Sequence, residues 1–262
     1  MPDYLVEKKG AIALVTLNRP EALNALTMQM LVDWDGEWRR LSEDPEVRVV
    51  VITGTGDKGF CAGIDLRTRD MTKNDQLPEL SYGRQWIAAL QQLSKPTIAA
   101  VNGVAAGGGL GLALGCDIRV ASDKARFSVV FRNIGMSVID GVGHTLVQAI
   151  GLSRALELIY TGEIIDAAEA ARIGLVSHVY PHAELMGKAM ELAERIAAGP
   201  PIALSLSKHA VYNAVGRSYS EYLPYQYLAT QLNSIYAKHD IAEGGLAFKE
   251  KRKPRFKGPS GS

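Results

Sequence analysis

Apolar residues change their period several times along the chain, and each change predicts an element. Residues 4–8 and 11–18 alternate apolar and polar positions on either side of Lys9-Gly10, which predicts a β-hairpin. Leu31, Trp34, Trp38 and Leu41 then follow helical spacing behind Thr27, a residue suited to cap a first turn. Residues 47–53 form a β-branched run, and 97–101 a second run, of the kind found in strands covered on both faces. Trp86, Ile87, Leu90 and Leu93 predict a helix that stops at Lys95-Pro96. Short strands are expected over 117–121 and 125–129. Ser153 and Asp166 should cap the next two helices, and Gly174 should end the second. Residues 175–180 read as one more strand, and 183–198 as a helix closed by Gly199.

Past Pro200-Pro201 the pattern is helical throughout, over 202–215, 219–237 and 241–253. The change divides the chain into an α/β core (1–200), a helical region (201–257) and a flexible tail (258–262). Alternating strands and helices before the boundary argue for a parallel sheet. The helices beyond it carry Leu204, Leu206, Val211, Tyr222, Leu223, Leu228 and Ile235. A small appendage cannot bury all of these, so a subunit interface is their expected destination.

Composition removes several classes of function. A net charge of +1 gives no reason to expect a nucleic-acid partner. The one dense basic run, 249–253 with Arg255 and Lys257, reads as a solvated helix end. Cys61 and Cys116 form neither a CxxC pair nor a zinc-ligand spacing, which fits a reducing compartment. No targeting segment is evident at the N-terminus, and the most apolar stretch, 97–114, is broken by Asn102 and five glycines. A cytoplasmic protein with no membrane span is expected.

Candidate chemistry narrows by elimination. Residues 54–59 match G-x-G-x-x-G after a strand, but no helix signal follows, so a dinucleotide site is not supported. His144, His178, His182, His209 and His239 form no metal-ligand cluster, and no G-x-S-x-G elbow occurs. What remains is two glycine-dense turns, each after a predicted buried strand: 60–66 (FCAGIDL) and 102–111 (NGVAAGGGLG). Such turns let backbone N–H groups approach an anion, and two that met in space would form an oxyanion hole. Each is equally well explained as a tight bend.

These turns, with residues 17–26 (LNRPEALNAL), 161–163, 167–176 and 250–256, resemble the crotonase (enoyl-CoA hydratase/isomerase) superfamily in the same order along nearly the whole chain. The resemblance implies a crotonase (ClpP-like) spiral of ββα units with a C-terminal helical trimerisation region, assembled as a trimer or a hexamer of two trimers. It implies an acyl-CoA thioester substrate, no metal and no cofactor beyond the CoA moiety. The thioester oxygen would be held by the N–H groups of Ile64 and Gly108. Ala62, Asp65, Leu66, Lys58, Arg67, Phe248 and Lys251 fall at positions that contact CoA in relatives. Glu21 stands where some relatives carry a lysine.

Two departures limit the inference. The glutamates with which hydratases handle water and the α-proton would fall at Gly111 and Phe131. Both acids are missing, and the replacements suggest a drier acyl pocket. Asp140 is the nearest substitute. It resembles an aspartate of some isomerase, dehalogenase and C–C hydrolase relatives, most of which place it one residue earlier, where Ile139 stands. It reads equally as the N-cap of a helix over 142–150. His144, one turn on, could face the same side. The resemblance therefore favours isomerase- or hydrolase-like chemistry. A hydratase with other acids, or a catalytically silent acyl-CoA-binding protein, remains as an alternative.

Overall fold

The structure is a computed structural model that describes residues 2–68, 85–139 and 141–258. It opens with the hairpin β1 (Tyr4–Lys9) and β2 (Ile12–Leu17), paired antiparallel as the alternation predicts. In α1 (Met28–Glu43) Thr27 Oγ1 accepts the Met30 N–H, so the expected cap is in place.

Three two-strand units follow. β3 (Val49–Gly54) leads into β4 (Gly59–Cys61), with α2 (Gln85–Gln92) after it. β5 (Thr97–Val101) leads into β6 (Val104–Ala106) and α3 (Gly108–Gly115). β7 (Ile118–Ser122) leads into β8 (Arg126–Ser128), a 3₁₀ turn over Val130–Ile134, and α4 (Val142–Ile150). The core closes with α5 (Leu152–Thr161), β9 (Ile164–Asp166), α6 (Ala167–Arg172), β10 (His178–Tyr180) and α7 (Leu185–Ala197).

The first strand of each unit joins a six-stranded sheet of order β1-β2-β3-β5-β7-β10, and the second joins a four-stranded sheet of order β4-β6-β8-β9. Each unit thus steps sideways in both sheets at once. This is the ββα spiral that the resemblance implies.

The central strands are mostly apolar because both faces are covered. Val50, Ile52, Ala99, Val101 and Ala121 pack in the cluster that holds Trp34, Trp38 and Trp86 of α1 and α2. Trp34 packs against each of the other two indoles at 5.4 Å with the rings tilted, and all three indole N–H groups are buried without a partner among the described residues. Val49, Val51, Ile98, Ala100 and Val120 face Leu185, Ala189 and Ala193 of α7.

Beyond the core lie α8 (Pro201–Ala214), α9 (Tyr219–Tyr236) and α10 (Lys238–Lys249). Lys208 of α8 reaches Asp117 Oδ2 at 3.0 Å, and the Tyr212 hydroxyl donates to Asp117 Oδ1 at 2.8 Å. The same aspartate accepts the Thr97 N–H, so the helix is tied to the start of β5. None of the residues of α9 is buried.

Several boundaries differ from expectation. Ser153 lies inside α5, because the chain breaks one residue before that helix, at Gly151 (φ 79°), which ends α4 and caps α5. The strand expected over 175–180 shortens to β10, since the N–H groups of Leu175 and Val176 are spent on Ala170 O. The last helix starts and stops three or four residues early. Lys251 turns the chain back (φ 54°), which lets Arg252 grip Glu243 and Glu250. Asp240 then accepts the N–H groups of Lys257 and Gly258. Gly258 is therefore buried and bonded, not part of a flexible tail.

Among the described residues no helix is long and apolar enough to cross a membrane, and no group of three His, Cys, Asp or Glu could hold a metal.

Candidate active site

The two glycine turns are neighbours because the strands they follow are neighbours. β4 pairs parallel with β6, Gly59 opposite Val104 and Cys61 opposite Ala105. Residues 62–64 and 107–109 therefore leave the same end of the small sheet. The approach is closer than side chains permit. A methyl added at Gly109 would sit 1.9 Å from the Cys61 carbonyl oxygen. One added at Gly63, which has φ 97°, would sit 2.9 Å from Ala106 O and 3.3 Å from Gly108 N.

Residues 17–26 hold the first turn from behind. Leu23 O accepts the Ala62 N–H at 3.0 Å. Asn24 takes a left-handed conformation (φ 57°), one that suits asparagine better than most residues. Its side chain accepts the Arg19 N–H and donates to Thr55 O and Gly59 O. Asn102 does the same work on the second turn, donating to Gly56 O and Gly59 O while accepting the Gly54 N–H. Arg19, Asn24 and Asn102 are thus positioning residues that the sequence did not single out.

Two N–H groups are left over. Leu26 and Ile64 form a parallel bridge in which Leu26 N–H donates to Gly63 O (2.8 Å) and Asp65 N–H to Leu26 O (2.9 Å). That pattern uses the groups on either side of Ile64 and leaves its own N–H unspent. Gly108 is the first residue of α3, where an N–H has no carbonyl one turn back. Among the described residues neither group donates a hydrogen bond.

Both turns border a cavity of about 60 Å³, lined also by Leu66, Val130, Phe131, Ile134, Met136 and Ile139. No described residue of that lining is titratable. The nearby Cys61 thiol is pushed up to about 12 by burial, so it is no nucleophile. Ser122, elsewhere in the core, meets His182 Nδ1 at 3.0 Å, but Asp123 bonds the serine hydroxyl and a backbone N–H, not the ring. With Ser122 fully buried, this is not a hydrolytic triad.

Of the residues expected from sequence, Ile64, Gly108, Ala62 and Leu66 meet at this cavity. Asp65 turns inward. Its side chain is 3% exposed, with Arg19 at 2.9 Å and Arg67 at 2.8 Å. Arg67 first, and then Arg19, hold the carboxyl well below the usual carboxylate range. Arg67 remains 66% exposed, so its guanidinium edge faces solvent. Lys58 is exposed on the turn before β4, where its carbonyl accepts the Val104 N–H.

Phe248 and Lys251 are not brought to the cavity within one chain. Phe248 is 86% exposed on α10. The segment after α10 docks on Arg48, which donates to Phe256 O just ahead of β3. Neither Phe248 nor Lys251 is among the residues that line the cavity. His144 is exposed and meets Gln148. Asp140 lies outside the described residues. The N-cap of α4 is Gly141, whose carbonyl accepts the Thr145 N–H.

Spiral, paired turns and C-terminal helices together define a crotonase-superfamily protein. The chain belongs to the enoyl-CoA hydratase/isomerase family, whose profile matches residues 7–259. It is 38% identical over 254 residues to the short-chain-enoyl-CoA hydratase of Clostridium acetobutylicum, covering 96% of each chain. It is 37% identical over 260 residues to the enoyl-CoA hydratase EchA19 of Mycobacterium tuberculosis, covering 97% of this chain and 96% of that one. The crystal structure of an enoyl-CoA hydratase from Bacillus anthracis superposes with a TM-score of 0.93 at 36% identity, covering 98% of this chain and 99% of that one.

Proposed function

We propose that the protein binds an acyl-CoA thioester and stabilises the oxyanion or enolate formed at its carbonyl with the N–H groups of Ile64 and Gly108. One observation carries this reading: two unspent backbone donors, on turns locked together by Gly63 and Gly109, border one apolar cavity. Donors fixed before the reaction need no reorganisation when charge develops, and a dry surrounding strengthens them. The start of α3 adds its dipole at Gly108. Lys58 and Arg67 are proposed to meet the CoA phosphates, with Arg67 shared with Asp65. Phe248 and Lys251 would reach a CoA only from a neighbouring subunit of a trimer or hexamer. A cytoplasmic setting fits the two reduced cysteines.

The reaction is proposed to be isomerase- or hydrolase-like. Phe131 lines the cavity and Gly111 lies within α3, so neither position supplies the acid a hydratase uses. Double-bond migration needs a single acid/base. Asp140 is proposed for it, on the ground that its chain neighbour Ile139 lines the cavity. The lack of a titratable group in the described lining favours a second reading, a binding protein without turnover.

Turnover of a panel of enoyl-, dienoyl- and β-keto-acyl-CoAs tests both. Crotonyl-CoA hydration should be slow, since each lost acid/base removes a factor of about 10²–10⁴. Asp140→Asn should abolish the best activity on the panel while leaving the melting temperature in place. Fast crotonyl-CoA hydration would sink the proposed chemistry, and an Asp140→Asn enzyme as active as wild type would sink the role of Asp140. No turnover of any thioester that binds would establish the silent reading.

A further inference from the structure

We infer that Phe131 makes the acyl cavity a polarity filter: it admits acyl groups that are hydrocarbon next to the thioester and rejects those bearing a hydroxyl there. The inference rests on the reading of the cavity as an acyl-CoA site and goes further, to the class of acyl group.

The geometry is specific to this lining. Phe131 lies on the 3₁₀ turn Val130–Ile134, between β8 and α4. It carries the one buried side chain of the described lining, at 6% exposure, whereas Leu66, Ile134, Met136 and Ile139 are half-buried or exposed. A methyl added at Gly107 would lie 3.9 Å from Phe131 Cε1 and 3.3 Å from Val130 Cγ2. The ring therefore stands within one residue of the Gly108 N–H, beside the place where the carbons next to a bound carbonyl would lie. Among the described residues the polar atoms of this lining belong to the backbone.

The physical consequence follows from desolvation. A substrate hydroxyl set against this ring leaves water and finds no side-chain partner, at a cost of about 5- to 150-fold in affinity for an unpaired hydroxyl. A methylene in the same place gains about fourfold from burial. The cavity should thus prefer a saturated or unsaturated acyl chain over its 3-hydroxy counterpart.

Calorimetric titration with CoA, butyryl-CoA and 3-hydroxybutyryl-CoA measures it directly. Wild type should bind butyryl-CoA at least about tenfold more tightly than the 3-hydroxy compound. Phe131→Leu, which keeps the wall apolar, should keep that ratio. Phe131→Gln, which supplies a partner, should bring it within about threefold. Equal wild-type affinities for the two thioesters, both tighter than CoA, would overturn the filter alone. So would an unchanged ratio in a Phe131→Gln protein that melts like wild type. Butyryl-CoA binding no tighter than CoA would overturn the filter together with the acyl-site reading. The wild-type comparison needs no variant, so a Phe131→Gln chain that failed to fold would leave the decision to it.

Discussion

The junction of the two glycine turns and the helices after Pro201 are held in opposite ways. At the junction, backbone meets backbone. Gly109 lies under the Cys61 carbonyl, Gly63 under Ala106, and asparagine amides tie the loops from behind. Among the described residues, the contacts that fix the Ile64 and Gly108 N–H groups come from the same chain. In the helical region side chains do the holding, and they fasten α8 and the segment after α10 to the core but not α9. Lys208 and Tyr212 fasten α8 to Asp117, while α9 has no fully buried residue and presents Tyr219, Tyr227, Leu228, Ile235 and Tyr236 to solvent. One region is finished as a monomer. The other leaves an apolar face exposed within one chain, which the trimer or hexamer proposed above would cover.

The largest effect expected from testing this contrast is at Gly109. Gly109→Ala must push the turns apart, because no flexible atom can yield at 1.9 Å from a carbonyl. Displacing one oxyanion donor should lower kcat for the best panel substrate by about 10²–10³. An alanine enzyme with wild-type turnover would show that the junction is not set by backbone contact.

Lys208→Met comes next. The Lys208 side chain is 6% exposed, and its removal leaves the half-buried Asp117 carboxylate, 18% exposed, without its cation. Breaking a fully buried pair costs about 3–5 kcal/mol; for this partly exposed one a loss of about 2–3 kcal/mol is expected, a fall of roughly 4–12 °C in melting temperature for a domain this size. Light scattering should show the wild type as a trimer or hexamer and the variant shifted toward monomer. A stable wild-type monomer at micromolar concentration would break the contrast outright.

The smallest effect is a control for the first. Gly187, exposed on α7, has nothing within 4 Å of an added methyl. Gly187→Ala should raise stability by about 0.5–1 kcal/mol through helix propensity, with turnover unchanged. If it damaged activity as Gly109→Ala does, glycine substitution as such, not close approach, would be the cause.

Legibility in the sequence followed element length and burial. The long apolar runs of β3 and β5 and the periodic stripe of α1 announce themselves because each repeats its signal over a whole element. β4 and β6 are three residues each, too short for any period, and both fall in the stretches that read as glycine-dense turns. Yet those strands set the turns side by side. The residues of the junction could be named from family resemblance, while their meeting could be seen only once β4 and β6 were paired. The inward turn of Asp65 was hidden for a related reason. Its partner Arg19 lies 46 residues away, and a charge in a loop reads as solvated until its neighbours are known. Early termination of the last helix was likewise invisible, since Glu243 and Arg252 look like ordinary helix-surface charges until Lys251 turns the chain back.

The aromatic residues are sorted between the two regions in a way that gives each its own optical signal. All 3 tryptophans sit in one stack between α1 and α2, away from water and from the helical region. Of the 10 tyrosines, Tyr219, Tyr222, Tyr225, Tyr227 and Tyr236 lie on α9. Emission excited in the red edge of the indole band should therefore be blue-shifted and follow the integrity of the core alone. Ultraviolet difference absorbance of the phenols should follow the covering and uncovering of α9. A single dilution series, read at both wavelengths, would separate dissociation of subunits from unfolding of the chain.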